Sequence, residues 1–149
     1  MAILETSRFK LPILAAGQAH KELFHNEALA RIDFLMHPTV QAIEIDPAVV
    51  VPDVGQAWLV GPGAVNDWLG HDDEIAGWTG NGWVFITPLP YMRLYIESIA
   101  SSAVYRGFWQ LAATVESPVA GVVVDVEARS AIDSILAALE AQGIFMPGT

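Results

Sequence analysis

The chain has 149 residues, 53% of them apolar and only 16% charged, with mean hydropathy +0.41 and a net charge of −10. An intrinsically disordered chain would be poor in apolar groups, so a folded domain is expected, with apolar surface to spare for partners. The acidic balance repels phosphate backbones and sets nucleic acid aside as a ligand. There is no Cys, which removes disulfides, thiolate metal sites and Cys nucleophiles together.

Residues 1–37 read as a leader and helix that form an assembly segment. They hold four basic and four acidic groups and no secretory signal. After Gly17 no Gly or Pro occurs until Pro38, and Leu23, Ala30 and Phe34 recur at helical spacing, widened by Leu29, Ile32 and Leu35. This predicts a helix over 18–36, ended by the proline. Its polar residues Gln18, Lys21, Glu22, His25, Asn26 and Glu27 make a poor core helix for a monomer. They suit a symmetric oligomer, a trimer or higher, in which copies of one helix meet around an axis and polar layers fix register.

Residues 38–118 read as a Trp-rich β body. Short apolar runs predict strands at 57–60, 74–78, 83–87, 93–97, 103–105 and 108–113. The Asn81-Gly82 and Arg106-Gly107 pairs predict hairpin turns. The run from Ile75 through Trp78 and Trp83 resembles that from Ser102 through Tyr105 and Trp109. Each follows an apolar strand, so the body reads as two copies of a three-stranded meander. The first copy carries a loop ten residues longer. Residues 119–149 predict a C-terminal helix packing on this body. Asp125 caps it, Ile132, Ile135, Leu136 and Leu139 form its apolar stripe, and Gly143 ends it with Ile144 folded back on Leu139. The fold class is therefore α+β: an N-terminal helix, two short antiparallel meanders and a C-terminal helix. No run approaches the roughly 20 apolar residues of a membrane span, and the chain is expected to be made in the cytoplasm.

Candidate chemistry is sparse. Glu22 and His25 have the spacing of helix-borne di-iron ligands, but no second Glu-x-x-His exists, so no metal site is expected there. Asp67 with His71, Asp72, Asp73 and Glu74 lacks the ligand pattern of a calcium loop and reads as a solvated acidic loop. Glu97, Glu116 and Asp125 are conceivable glycosidase carboxylates that sequence cannot bring together. No nucleophile elbow, phosphate loop or zinc-protease helix is present, so no catalytic residue, cofactor or enzymatic activity is expected. Five Trp fall in the β body, and indole faces stack on sugar rings. Trp68, Asp67 and His71 in the long loop are the candidate glycan contact; Trp58, Trp78, Trp83 and Trp109 read as core or interface.

The run from Leu11-Pro12-Ile13-Leu14 through Gly17-Gln18-Ala19-His20-Lys21-Glu22 to His25-Asn26-Glu27-Ala28-Leu29 resembles the leader of a family of uncharacterised proteins. That family occurs in alphaproteobacterial prophages and near gene-transfer-agent clusters, and carries a domain of unknown function. The likeness continues through Trp58-Leu59-Val60, Gly70-His71, Ile75 to Trp78, Gly82-Trp83 and on to Ile144, with His20 where Gln is common. It implies a virion component of spike or tail-fibre type. Such a component would meet other virion proteins and touch bacterial surface polysaccharide. The alternatives are a glycan-binding adhesin module without a virion role, or a polysaccharide hydrolase.

Overall fold

The computed structural model describes residues 4–17, 21–115, 117 and 125–144. Among these residues it is α+β, with two helices and eight strands in two four-stranded sheets. Helix α1 spans Lys21–Leu35, and residues 18–20 of the expected helix lie outside the described residues. Strands β1 (Thr39–Val40) and β2 (Ile43–Glu44) follow, and then the two meanders. The first is β3 (Ala57–Val60), β4 (Ile75–Trp78) and β5 (Trp83–Ile86); the second is β6 (Arg93–Ile96), β7 (Ser101–Tyr105) and β8 (Trp109–Leu111). Helix α2 spans Val126–Ala141.

The duplication is visible in the pairing. One sheet has the order β2-β3-β4-β5 and the other β1-β6-β7-β8, so each meander gains one two-residue strand, paired parallel to its first strand. Trp78 pairs with Trp83 at the neck of the first hairpin, and Tyr105 pairs with Trp109 at the same place in the second. The two aromatic pairs have similar geometry, with ring centroids 4.9 and 5.3 Å apart and both tilted by 59°. In the first hairpin the left-handed residue is Gly80 rather than the expected Asn81-Gly82 pair, and Thr79 closes the turn on the Gly82 carbonyl.

A meander has one face to bury, and here the two bury theirs together. Leu59, Ile75 and Ile86 of the first sheet share a core with Leu94, Ile96 and Ala103 of the second, and Phe34 of α1 closes it. Gly77 interrupts the strand run because the Phe34 ring lies on it: a Cβ there would sit 2.6 Å from the ring. The alternate residues of β3 and β4, Trp58, Val60 and Ala76, form a second core on the opposite face of the first sheet with Ala64 and Trp68. The ten-residue longer loop supplies that cover, since Ala64 and Trp68 both lie on it.

Helix α2 begins and ends as its residues dictate. The Asp125 carboxylate accepts from the Ala128 N–H at 2.8 Å. At the far end Gly143 is left-handed, Ile144 N–H donates to the Leu139 carbonyl and Gly143 N–H to that of Glu140, the two bonds of a Schellman motif. The Gly143 carbonyl accepts from Ser102 N–H of β7, and this joins the end of α2 to the second sheet. Ile132 and Ile135 of the expected stripe are exposed, whereas Leu136 and Leu139 are half-buried.

Candidate functional site

Two regions gather the residues that sequence singles out: the leader with α1, and the indole cluster of the first meander.

Residues 4–13 fold into a narrow strap. Thr6 N–H donates to the Leu11 carbonyl and Ile13 N–H to that of Leu4, with Glu5 and Pro12 paired antiparallel. Asp33 of α1, almost fully buried, fastens the strap. One carboxylate oxygen accepts from the Thr6 hydroxyl at 2.8 Å and the Phe9 N–H at 2.7 Å; the other accepts from the Arg8 N–H at 2.8 Å. Arg8 fastens it from the other side. Its guanidinium donates to the carbonyls of Gly55, Phe34, His37 and Thr39 and stacks 4.7 Å over the Phe34 ring. Burial pulls the Arg8 guanidinium below its ordinary pKa, while Asp33 and Glu97 raise it. Sequence reasoning passed over both residues. The signal was there: Glu22, Asn26, Leu29 and Asp33 recur at four- and three-residue steps, one face of a helix.

That face is turned inward. The Asn26 side chain accepts from the Leu14 N–H and donates to the Leu14 carbonyl, both at 2.9 Å, as a strand partner would. Glu22 accepts from the Gly17 N–H. Glu27 pairs with Arg31 at 2.9 Å, and Arg31 donates to the Phe85 carbonyl. Of the expected assembly residues, Glu22, Asn26 and Glu27 are thus engaged within the chain. Lys21 and His25 are exposed, and Gln18 lies outside the described residues.

The outward side of α1 is mixed: Lys21, His25, Glu27 and Arg31 are exposed, and an apolar line runs beside them. Phe24, Ala28, Ile32 and Met36 follow one another every four residues and all are exposed, Phe24 by 78%. A surface helix ordinarily turns such a line toward the core.

A cleft of about 620 Å³ separates the strap, α1 and the first hairpin turn, lined by Lys10, Glu22, Asn26, Asp33 and Asn81 among others. Its carboxylates have partners already, with Glu5 also 3.6 Å from Lys10.

The indoles pack around Trp83. Trp58 and Trp68 meet it edge-on at 5.9 and 5.1 Å, and Trp78 lies against it. Trp68 is 0% exposed, so it is not the glycan contact its loop position suggested. The loop makes a 3-10 turn at Asn66–Trp68 that swings the indole inward over the sheet. Burying an indole of about 200 Å² stabilises by roughly 5 kcal/mol, more than a loop gains by holding it in water. The Trp68 indole N–H has no hydrogen-bond partner among the described residues. Half-buried Trp78 and Trp83 instead line an open pocket of about 300 Å³ with Pro47, Pro52, Asn66 and Asp67. Asp67 therefore stays beside an indole surface, though not the expected one.

His71 is drawn away from that pocket. Its ring stacks on Phe85 at 3.5 Å with planes 5° apart, and Nδ1 lies 2.7 Å from a Glu74 oxygen. The other Glu74 oxygen accepts from the Thr87 hydroxyl. Asp72 accepts from the backbone N–H groups of Gly63 and Ala64, which hold its carboxyl below the ordinary aspartate range. Asp46 is lowered likewise by the Ala48 N–H and the Asn66 amide. The acidic loop thus staples its own backbone. Among the described residues no three His, Asp or Glu side chains converge as a metal site. Of the three conceivable glycosidase carboxylates, Asp125 caps α2, Glu97 lies by Arg8 and Glu116 lies outside the described residues.

Residues 25–110 match the family described as "Protein of unknown function (DUF2793)", more than half of the chain, and the chain belongs to it. No curated protein and no solved structure matches it. No helix among the described residues is long and apolar enough to cross a membrane.

Proposed function

We propose that the chain is a homo-oligomeric structural component of a phage-like particle, of spike or tail-fibre type. In this reading it docks through its N-terminal segment and displays the β body toward bacterial surface polysaccharide. The observation that carries it is the uncovered apolar line: Asp33 is spent on the strap and Glu22 and Asn26 on Gly17 and Leu14 after it, while Phe24, Ala28 and Ile32 of α1 and Met36 just past it stay exposed. An apolar stripe on a helix is stable in water when identical stripes meet around an axis. The polar residues were expected at that axis; in the present reading they rigidify the helix that supplies it. The virion setting, other virion proteins as partners and assembly after synthesis in the cytoplasm all draw on the likeness of residues 11–29 to the prophage leader. Light scattering at micromolar concentration is expected to give the mass of three or more 16.1 kDa chains. A stable monomer overturns the reading.

A second reading, a glycan-binding adhesin module without a virion role, is favoured by the Trp78 and Trp83 pocket with Asp67 at its rim. Quenching of Trp fluorescence by capsule or lipopolysaccharide fragments supports saccharide contact, and no response in the wild type ends it. A polysaccharide hydrolase has no comparable support, and purified capsule incubated with the protein is expected to yield no new reducing ends.

A further inference from the structure

The second meander carries an exposed aromatic tip that neither the shared core nor the Trp pocket uses. Residues 89–92 form a type II turn, with Met92 N–H donating to the Leu89 carbonyl and Pro90 at the second position. The third position of that turn demands a left-handed backbone and ordinarily takes Gly. Here it is Tyr91, at φ +69°. Backbone strain under a bulky residue points to a use for its side chain. The ring is 72% exposed, as are Leu89 of the same turn at 67% and Phe108, two residues after Arg106, at 59%. The Arg106 guanidinium lies 5.9 Å over the ring.

Charge singles out the same place. Residues 38–149 hold thirteen acidic and three basic groups, yet residues 75–115 hold two Arg and one acid, Glu97. Arg106 is at the tip and Arg93 opens β6 two residues after Tyr91, whereas Glu97 follows the other end of β6 and lies by Arg8. Neither Arg93 nor Arg106 has a carboxylate partner among the described residues.

We infer that this tip binds a carboxylated sugar ring of an anionic polysaccharide. Arg106 pairs with the carboxylate and Tyr91 and Phe108 pack against the C–H face of the ring. An acidic lipid surface is the poorer match, because membrane attraction takes clusters of four to eight basic residues and residues 75–115 hold two, Arg93 and Arg106. The inference rests on the saccharide-contact reading for the class of ligand, not on the oligomeric one.

The test is calorimetric titration with tetragalacturonate, with its carboxyl-reduced neutral counterpart and with phosphatidylserine vesicles. Wild type is expected to bind the tetragalacturonate, more weakly at high salt, and not the neutral tetramer. Tyr91→Gly and Arg106→Gln should each weaken binding about tenfold or more. Because Gly suits the left-handed position, Tyr91→Gly should leave the melting temperature unchanged or raised, separating lost contact from lost fold. Equal binding of the neutral tetramer overturns the anionic assignment and leaves the saccharide reading with the Trp pocket. Binding to vesicles alone, binding that survives both substitutions, or no binding to any probe overturns the inference.

Discussion

Replacing Asp33 by Asn tests the fastening of the strap with almost no change of volume. In the wild type one carboxylate takes three hydrogen bonds, from the Thr6 hydroxyl and the Arg8 and Phe9 N–H groups, at 2.7 to 2.8 Å. An amide oxygen can keep the first and third. The amide nitrogen then faces Arg8 N–H, donor against donor, in a site closed to water. One charge-assisted bond is lost, at about 1.5–3 kcal/mol, and the other two weaken with the loss of charge. A net cost of about 2–3 kcal/mol corresponds to a fall of roughly 6–10 °C in melting temperature for a chain of this length. Thermal unfolding reads the cost. Amide hydrogen exchange locates it, since Arg8 and Phe9 should lose protection before the β strands do. A melting temperature within about 1 °C of wild type, with both amides still protected, would refute the reasoning.

Gly77→Ala places a methyl 2.6 Å from the buried Phe34 ring, and overpacking of this kind costs about 1–3 kcal/mol, read by urea unfolding. Gly143→Ala sets a side chain at φ +64° and 2.7 Å from Tyr95. It should free the end of α2 from β7, so that the Ser102 amide exchanges faster while the first sheet keeps its protection. The Asp72 carboxyl is held below the ordinary value of 3.8 by two backbone N–H groups. Its contribution to stability is therefore fully present above about pH 4 and fades as pH falls through the lowered value. Asp72→Asn should unfold more easily than wild type at pH 7, and melting curves recorded down to pH 2.5 should show the gap closing.

Much of the body was legible because its signals are local. Strands β3 to β8 fall within a few residues of the apolar runs, and the repeat of Trp78 with Trp83 in Tyr105 with Trp109 announced the duplicated pairing. Asp125 and Gly143 mark the bounds of α2 through cap chemistry that needs no tertiary context. Strands β1 and β2 were missed because two residues have no period; only parallel pairing to β6 and β3 makes them strands. Trp68 was misplaced because a loop reads as surface, while its destination depends on a bare sheet face that the long loop must cover. On α1, counting apolar residues favoured Leu23 and Ile32 as core, yet both are exposed. The strap and the residues after it compete for the inner face, where the buried Asp33 carboxylate and the half-buried Asn26 amide take up backbone N–H groups of the leader.

The uncovered stripe of α1 is the centre of the account, and the absence of Cys allows it to be tested directly. A single cysteine is placed at Ala28, midway along the stripe, and a control cysteine at Val51, 94% exposed on the β body. Both variants are oxidised at micromolar concentration and resolved on denaturing gels. Disulfide-linked dimers at Ala28→Cys and little linkage at Val51→Cys are the predicted outcome, since only α1 faces meet. Equal linkage at the two positions, or none at Ala28, would contradict the claim that copies of this chain cover one another through α1.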